Sequence, residues 1–456
     1  MTGAQASSGP SEDERIVARP PVEQAPSQGP IARGLLPDSS ALTPDGHLSI
    51  GGVDLLELVE QFGTPVFVYD EDHLRARCRE AVGAFGPGVA YATKAFLCKA
   101  MAALAIEENM ALDVSTGGEL AVALAAGASG DRLVCHGNNK SYEELVAALH
   151  GGVGRIVVDS FDEIDRLRYL CGSGATRQAG YKPKLLVRVT PGIEAHTHEY
   201  VRTGQEDTKF GFSLASGAAR QSLEALARLE DFELVGVHAH IGSQIFETSA
   251  FVEEIGALAP FVAENNLKEC CIGGGLGVAY VEGEQAPSIT EWAQAVHSAS
   301  RAVGMDASVR LTAEPGRAIV ASAAVTLYRV GTIKRLSGLR CYVAVDGGMS
   351  DNPRPVLYGS GYEAFLPRDL LAARPLAARL VGKHCESGDV IVDDARLPGD
   401  LAVDDVVATP VTGAYGFSMA SNYNRVLRPP VVFVSGGRAR VVVRRETIAD
   451  LLALET

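Results

Sequence analysis

A lysine that closes a run of alternating small residues is a candidate for carbonyl chemistry, and the stretch GVAYATKAF from Gly88 to Phe96 carries one. On a short strand Val89, Tyr91 and Thr93 face one way, while Ala90, Ala92 and Lys94 face the other. Two alanines then describe a tight interior surface with a single amine at its end. Such an amine is either a solvated strand terminus or a nucleophile, because a partly desolvated ammonium gives up its proton more easily. Taken alone, Lys94 favours the plainer alternative.

Further along, the run Gly273-Gly274-Gly275-Leu276-Gly277 follows an apolar segment and opens no helix. It lacks the GxGxxG spacing of a dinucleotide site. Bare backbone N–H groups of this kind suit a phosphate on a small cofactor, with a structural glycine turn as the alternative. Two HxH pairs, His196-Thr197-His198 and His238-Ala239-His240, raise the thought of a metal hydrolase. Against it stands Glu314-Pro315-Gly316-Arg317, whose arginine would repel a cation, and no metal is expected. The segment Ile241-Gly242-Ser243-Gln244 after His240 suggests instead a ring-stacking imidazole beside a phosphate-contacting loop.

These groups need a scaffold that brings them together. Apolar strand-like runs at 88–94, 111–116, 132–137, 155–160, 184–190, 233–242, 269–275 and 309–316 each end in polar or glycine residues, and helix-favouring stretches separate them. Eight such units predict a parallel (β/α)8 barrel, whose chemistry gathers at the C-terminal strand ends. Lys94, Asp113, His136, Arg188, His240, Gly273 to Gly275 and Glu314 all fall at those ends. Beyond Ile319 the pattern changes to short β-branched runs with turns between them, which predict an all-β domain, a sandwich or small barrel. The expected organisation is a tail at 1–30 too rich in Pro, Ser and Glu to bury a core, then a segment at 31–63 partly joining the β-domain. The barrel follows at 64–319 and the β-domain at 320–456.

Composition narrows the partners. Forty-one basic against 56 acidic residues leave a net charge of −15, which argues against nucleic acid and anionic membranes. The eight cysteines are scattered without a CxxC pair, the pattern of a reducing cytoplasm. No apolar run is long enough to span a bilayer.

YATKAF, HAHIGSQ, GGGLG and EPGR, in this order on a barrel, resemble the fold-type III pyridoxal phosphate (PLP) decarboxylases of basic amino acids, and the resemblance extends over roughly residues 45 to 450. It implies that Lys94 carries PLP as an imine, with Asp113 at the neighbouring strand end, and that His240 stacks on the pyridine ring. It further implies that Ser243, Gly274, Gly275 and the loop through Gly316 and Arg317 hold the phosphate, while Glu314 pairs with the ring nitrogen. A carboxylate there keeps that nitrogen protonated and the cofactor able to accept an electron pair.

In the β-domain, Gly382-Lys383-His384-Cys385-Glu386-Ser387-Gly388-Asp389 is chemically too mixed for a simple turn. A cysteine can deliver a proton near neutral pH and the adjacent glutamate can hold an ammonium, although a lone cysteine is more often buried structure. With DGGMSDN at 346–352 and GAYG at 413–416, this segment is similar to the branch of the family that decarboxylates diaminopimelate. The resemblance implies that Arg317, Arg354 and Tyr358 hold substrate carboxylates, that Glu386 reads an amino group, and that Tyr415 touches cofactor and substrate. It also implies a homodimer with shared sites, in which Cys385 protonates the product from the neighbouring subunit. The competing expectations are the same chemistry on another basic amino acid or a carboxylated polyamine, and a non-catalytic PLP-binding barrel.

Overall fold

The computed structural model describes residues 29–176, 181–193 and 208–456. The expected tail lies outside them except for Gly29 and Pro30, and so does the His196-Thr197-His198 pair. Eight strands, Ala90–Ala92, Ala111–Val114, Leu133–Cys135, Arg155–Val158, Lys184–Thr190, Glu233–His238, Glu269–Cys271 and Arg310–Thr312, pair in parallel in chain order. The first and last also meet: Ala90 N–H donates to the Ala313 carbonyl (3.1 Å) and Ala92 N–H to that of Pro315 (3.2 Å), so the sheet curls round on itself. Alternation explains the interior. Ala90, Ala111, Val134, Val157, Leu186 and Val235 form their own buried cluster, one residue from each of six strands, while Tyr91, Leu112 and Val187 turn outward into the main core.

The helices pack outside for reasons legible in their sequences. Ile289–Ala302 begins with a capping box, Ser288 and Glu291 each accepting the other's backbone N–H. It buries Ile289, Trp292, Ala293, Val296 and Ala299, a helical stripe. The Trp292 ring sits 4.8 Å from that of Phe85 and 5.1 Å from that of Phe251. Truncating so large a buried ring would cost about 3–5 kcal/mol.

The second body is an eight-stranded, mainly antiparallel sheet built around the long strand Ala324–Leu336. Its second half pairs with Arg340–Val345, and its first half is flanked by Val406–Pro410 and Val66–Asp70. That last pairing corrects the sequence reading. The expected barrel at 64–319 would begin with Val66–Asp70, yet this strand lies between Ala324–Leu336 and Val431–Ser435 in the β-sheet. Its five residues are all buried, and a continuous apolar run satisfies either sheet equally well.

This crossover supports the chemistry. Tyr69 at its end stacks on Phe96 at 4.3 Å, two residues past Lys94, and its hydroxyl donates to the Gly413 carbonyl (2.8 Å). Phe96 in turn meets Phe417 edge-on at 5.7 Å. The barrel strand end, the crossover strand and the GAYG segment are thus one aromatic joint, each ring pair adding roughly 0.5–1.5 kcal/mol beyond burial. The early strand Leu48–Ile50 pairs within its own three-stranded sheet. It reaches the β-domain through Leu48 N–H to Pro367 O and Gly437 N–H to Gly51 O, both 2.7 Å.

Candidate active site

Lys94 sits on a single 3-10 turn, Thr93–Ala95, directly after the strand Ala90–Ala92. Thr93 anchors the turn by donating to the Asp113 carbonyl (2.7 Å). Lys94 keeps open surface, yet protein surrounds it at longer range, the combination expected of a side chain in a deep concavity. Burial is the strongest influence on its ammonium and lowers its pKa. Asp113 first, then Tyr415 and Glu314, outweigh it against Arg188, leaving the pKa raised. Desolvation, which the sequence suggests would loosen this proton, is thus overridden by the charged neighbours.

Those neighbours form a buried array. Glu314 accepts from His136 Nε2 at one oxygen and from His238 Nε2 at the other, each at 3.0 Å. Burial pushes the Glu314 carboxyl up, but the two imidazoles hold it well below the usual range. The histidines divide the work. Burial drives His238 down to about 4, so it stays neutral, whereas Asp113 and Glu314 overcome burial at His136 and raise it. Asp113, 3.6 Å from His136, is lifted by burial to about 6. His136, His238 and Glu314, all side chains of ligand type, have atoms within 4.8 Å of one another. A cation would need the lone pair of a nitrogen that the carboxylate keeps protonated, so the array reads as an ion-paired carboxylate.

The glycines bring strand ends into close contact. A Cβ at Gly274 would lie 2.3 Å from the Glu314 carbonyl oxygen, one at Gly275 2.3 Å from that of Gly242, and one at Gly316 2.9 Å from Ala92 Cβ. Backbone packing alone therefore demands glycine here, and the structural alternative for this run is correct as far as it goes. Gly274 N–H also faces His240 Nδ1 at 3.3 Å, and burial holds that imidazole well below its ordinary pKa. Arg317 spans the rim, donating to Ser243 Oγ (2.9 Å) and the Tyr280 hydroxyl (2.6 Å), with its guanidinium 4.9 Å over the Tyr415 ring. Tyr415 has φ +62° and donates its backbone N–H to Ala95 O (2.7 Å), beside Lys94.

Arg354 is buried, bonded to the Tyr362 hydroxyl (2.7 Å) and 4.2 Å over the Tyr280 ring. Tyr280 therefore bridges the two arginines. Neither Tyr280 nor Tyr362 stands out in the sequence. Their only signal there is their type, since each takes its place through a contact, that of Tyr280 reaching an arginine 37 residues away. Tyr358 is half-buried on the short helix Arg354–Tyr358 and joins none of these contacts among the described residues. Cys385 and Glu386 are exposed on the loop between Leu376–Val381 and Val390–Leu397. The usual fate of a lone cysteine is therefore not that of Cys385. No described contact joins either residue to Lys94, Asp113 or Glu314.

A barrel carrying a lysine, a histidine-braced carboxylate and a glycine-lined rim defines a class, and comparison agrees. The family model described as "Pyridoxal-dependent decarboxylase, pyridoxal binding domain" matches residues 71–321, over half the chain, and the chain belongs to that family. Its cofactor is pyridoxal phosphate. More particularly, the diaminopimelate decarboxylase of Mycobacterium tuberculosis is 47% identical over 445 residues, covering 93% of this chain and 98% of that one. That of Bacillus subtilis is 45% identical over 430 residues, covering 90% and 95%. The crystal structure of diaminopimelate decarboxylase from M. jannaschii superposes with a TM-score of 0.84 at 30% identity, covering 92% of this chain and 98% of that one.

The site fits the cofactor through its own polar atoms. Among the described residues Asp113 Oδ1 and Arg317 Nε are buried without hydrogen-bond partners, an acceptor and a donor left for a polar guest.

Proposed function

We propose that this protein removes CO2 from the D-centre of meso-2,6-diaminopimelate, yielding L-lysine as the last step of lysine biosynthesis. The observation that carries the substrate is the pair of buried guanidiniums, Arg317 and Arg354, joined through Tyr280. Two forks suit a substrate that keeps one carboxylate after losing the other, whereas a substrate without a distal carboxylate would leave a buried arginine unpaired. The relatives' shared activity supports the same reading.

Pyridoxal phosphate, when bound, supplies the electron sink that accepts the pair released as the Cα–carboxylate bond breaks. Lys94 Nζ would hold its carbonyl carbon, and His240 its ring face. Ser243, the backbone of Gly274, Gly275 and Gly316, Arg317 and Tyr415 would hold its phosphate end. Glu314 stays ionised because His136 and His238 fix both oxygens, and an ionised carboxylate keeps a facing ring nitrogen protonated. Arg317, Arg354 and Tyr358 orient the carboxylates, Glu386 takes the distal ammonium, and the Cys385 thiol returns a proton to Cα.

The exposure of Cys385 and Glu386 supports a homodimer in which each β-domain completes its partner's barrel mouth, since an isologous interface makes two equal sites. No helix among the described residues is long and apolar enough to cross a membrane, and all eight cysteines are free. Both features accord with a cytoplasmic enzyme.

The test is CO2 release from diaminopimelate, lysine, ornithine and arginine by the PLP-loaded protein. Release from diaminopimelate, with lysine formed in equal amount, is expected. Preferential release from lysine or ornithine would overturn the substrate.

A further inference from the structure

The loop that carries Cys385 is exposed, yet a proton donor must present its thiol within a fraction of an ångström. What fixes the loop is therefore informative. Asp389 accepts the N–H of His384 (2.8 Å) and of Met349 (2.6 Å), and His384 Nε2 pairs with Ser350 Oγ at 2.9 Å. These contacts hold the base of the loop. At its tip, Glu386 N–H returns to the His384 carbonyl (2.8 Å), which leaves Cys385 at the apex of a three-residue turn. The apex N–H points out of the turn, and the side-chain oxygen of Asn424 accepts it at 3.1 Å.

Asn424 occupies an unfavourable backbone region to do so. It has φ +49° and ψ +24°, and Arg425 beside it has φ +59°. Two successive non-glycine residues with positive φ are uncommon, and asparagine is among the least penalised in the left-handed region. The segment is held in place from several sides. Ser421 N–H donates to Ser350 O (2.8 Å), Asn422 Nδ2 donates to Val426 O (3.0 Å) and also bonds Glu446, and Arg425 pairs with Glu455. The Tyr423 ring lies 5.4 Å from that of His384. Backbone strain that persists because its surroundings over-determine it is a pointer to function.

We infer that Asn424 is a positioning residue for the Cys385 proton donor, holding the apex of the turn so that the thiol has one orientation. The inference rests on the reading of Cys385 as donor and is independent of whether the thiol serves its own subunit or the partner. Asn424 bonds the Cys385 N–H, while Glu386 keeps its own bond to the His384 carbonyl, so removing the Asn424 side chain should lower turnover far more than substrate affinity.

The experiment uses PLP-loaded, full-length protein with diaminopimelate. Asn424→Gly keeps the left-handed backbone and deletes the acceptor; kcat should fall about ten- to a hundredfold with KM within about twofold. Asn424→Asp keeps an acceptor and should recover at least about a third of wild-type kcat. Its carboxylate should also move the pH profile of kcat upward by raising the pKa of the thiol. In a Cys385→Ala background, Asn424→Gly should add no further loss, because the group it orients is gone. A wild-type kcat for Asn424→Gly, or the same fold loss in both backgrounds, would overturn the positioning role. If Cys385→Ala alone retains full turnover, the donor reading itself falls, and that single variant tells the two failures apart.

Discussion

The barrel mouth and the β-domain loop hold their chemical groups in opposite ways. At the barrel mouth buried groups bond one another: Glu314 takes a histidine at each oxygen, and Arg317 donates to a serine and a tyrosine hydroxyl. Their ionisation is set within one chain. On the loop, Cys385 and Glu386 stand in the open, fixed through backbone contacts while their side chains have no described partner. The first region is a preorganised electrostatic site of the kind that stabilises developing charge. The second is an exposed loop, which on our proposal is half of a contact surface. The contrast is what the proposed dimer predicts, in which a second copy of the chain completes each site.

The contrast breaks most visibly at Lys94. Lys94→Ala should lower turnover by at least about 10³-fold, and borohydride treatment of the wild-type holoenzyme should attach the cofactor to one peptide, the one containing Lys94. Labelling at a different lysine would remove the barrel mouth from the account. A smaller but still large effect is expected on the loop. Losing one partner of a desolvated charge pair costs about 2–5 kcal/mol, so Glu386→Gln should reduce kcat/KM for diaminopimelate roughly 30- to 4,000-fold. The cofactor absorbance should stay as in wild type, because the barrel mouth is untouched. Near-normal kcat/KM would show that the open loop does not meet substrate.

The mildest effect concerns pH and stability. His238 is depressed from 6.5 to about 4, so its contribution is present above pH 6.5 and is lost as pH falls from 6.5 through about 4. Asp113, raised from 3.8 to about 6, works in the other direction, its share being lost as pH rises through that window. His136 is raised, so its share is likewise lost at higher pH, as pH rises through its shifted value. Unfolding midpoints between about pH 4.5 and 6.5 should therefore fall less steeply with acid in His238→Gln than in wild type. Equal slopes would mean that the imidazole is not held neutral.

Much of the barrel half is legible in the amino-acid sequence. Eight apolar runs with helix-favouring spacers mark eight parallel strands, because strands buried on both faces must be continuously apolar. Lys94, Asp113 and Glu314 fall at their ends as a result. Val66–Asp70 is not legible: VFVYD is as apolar as a barrel strand, and only its pairing with the strands through Thr326 and Val432 assigns it to the other sheet. Likewise the alternation in HAH says nothing of the carboxylate 76 residues on that binds His238. Tyr280, Tyr362 and Asn424 act through long-range contacts or backbone geometry, and none of them has a periodic signature. The Lys94 proton misleads for the same reason, since a sequence suggests burial but not the charges that the fold gathers round the amine.

The claim that one site is made from two unlike regions of different subunits has a direct test. Lys94→Ala and Cys385→Ala should each be nearly inactive, the first lacking the cofactor-bearing amine and the second its proton donor. When mixed and allowed to exchange subunits at random, half the dimers are hybrids, and each hybrid has one site with both residues intact. About a quarter of wild-type activity per total site should then return. No recovery, with subunit exchange shown independently, would place both residues in the same chain's site and contradict the account.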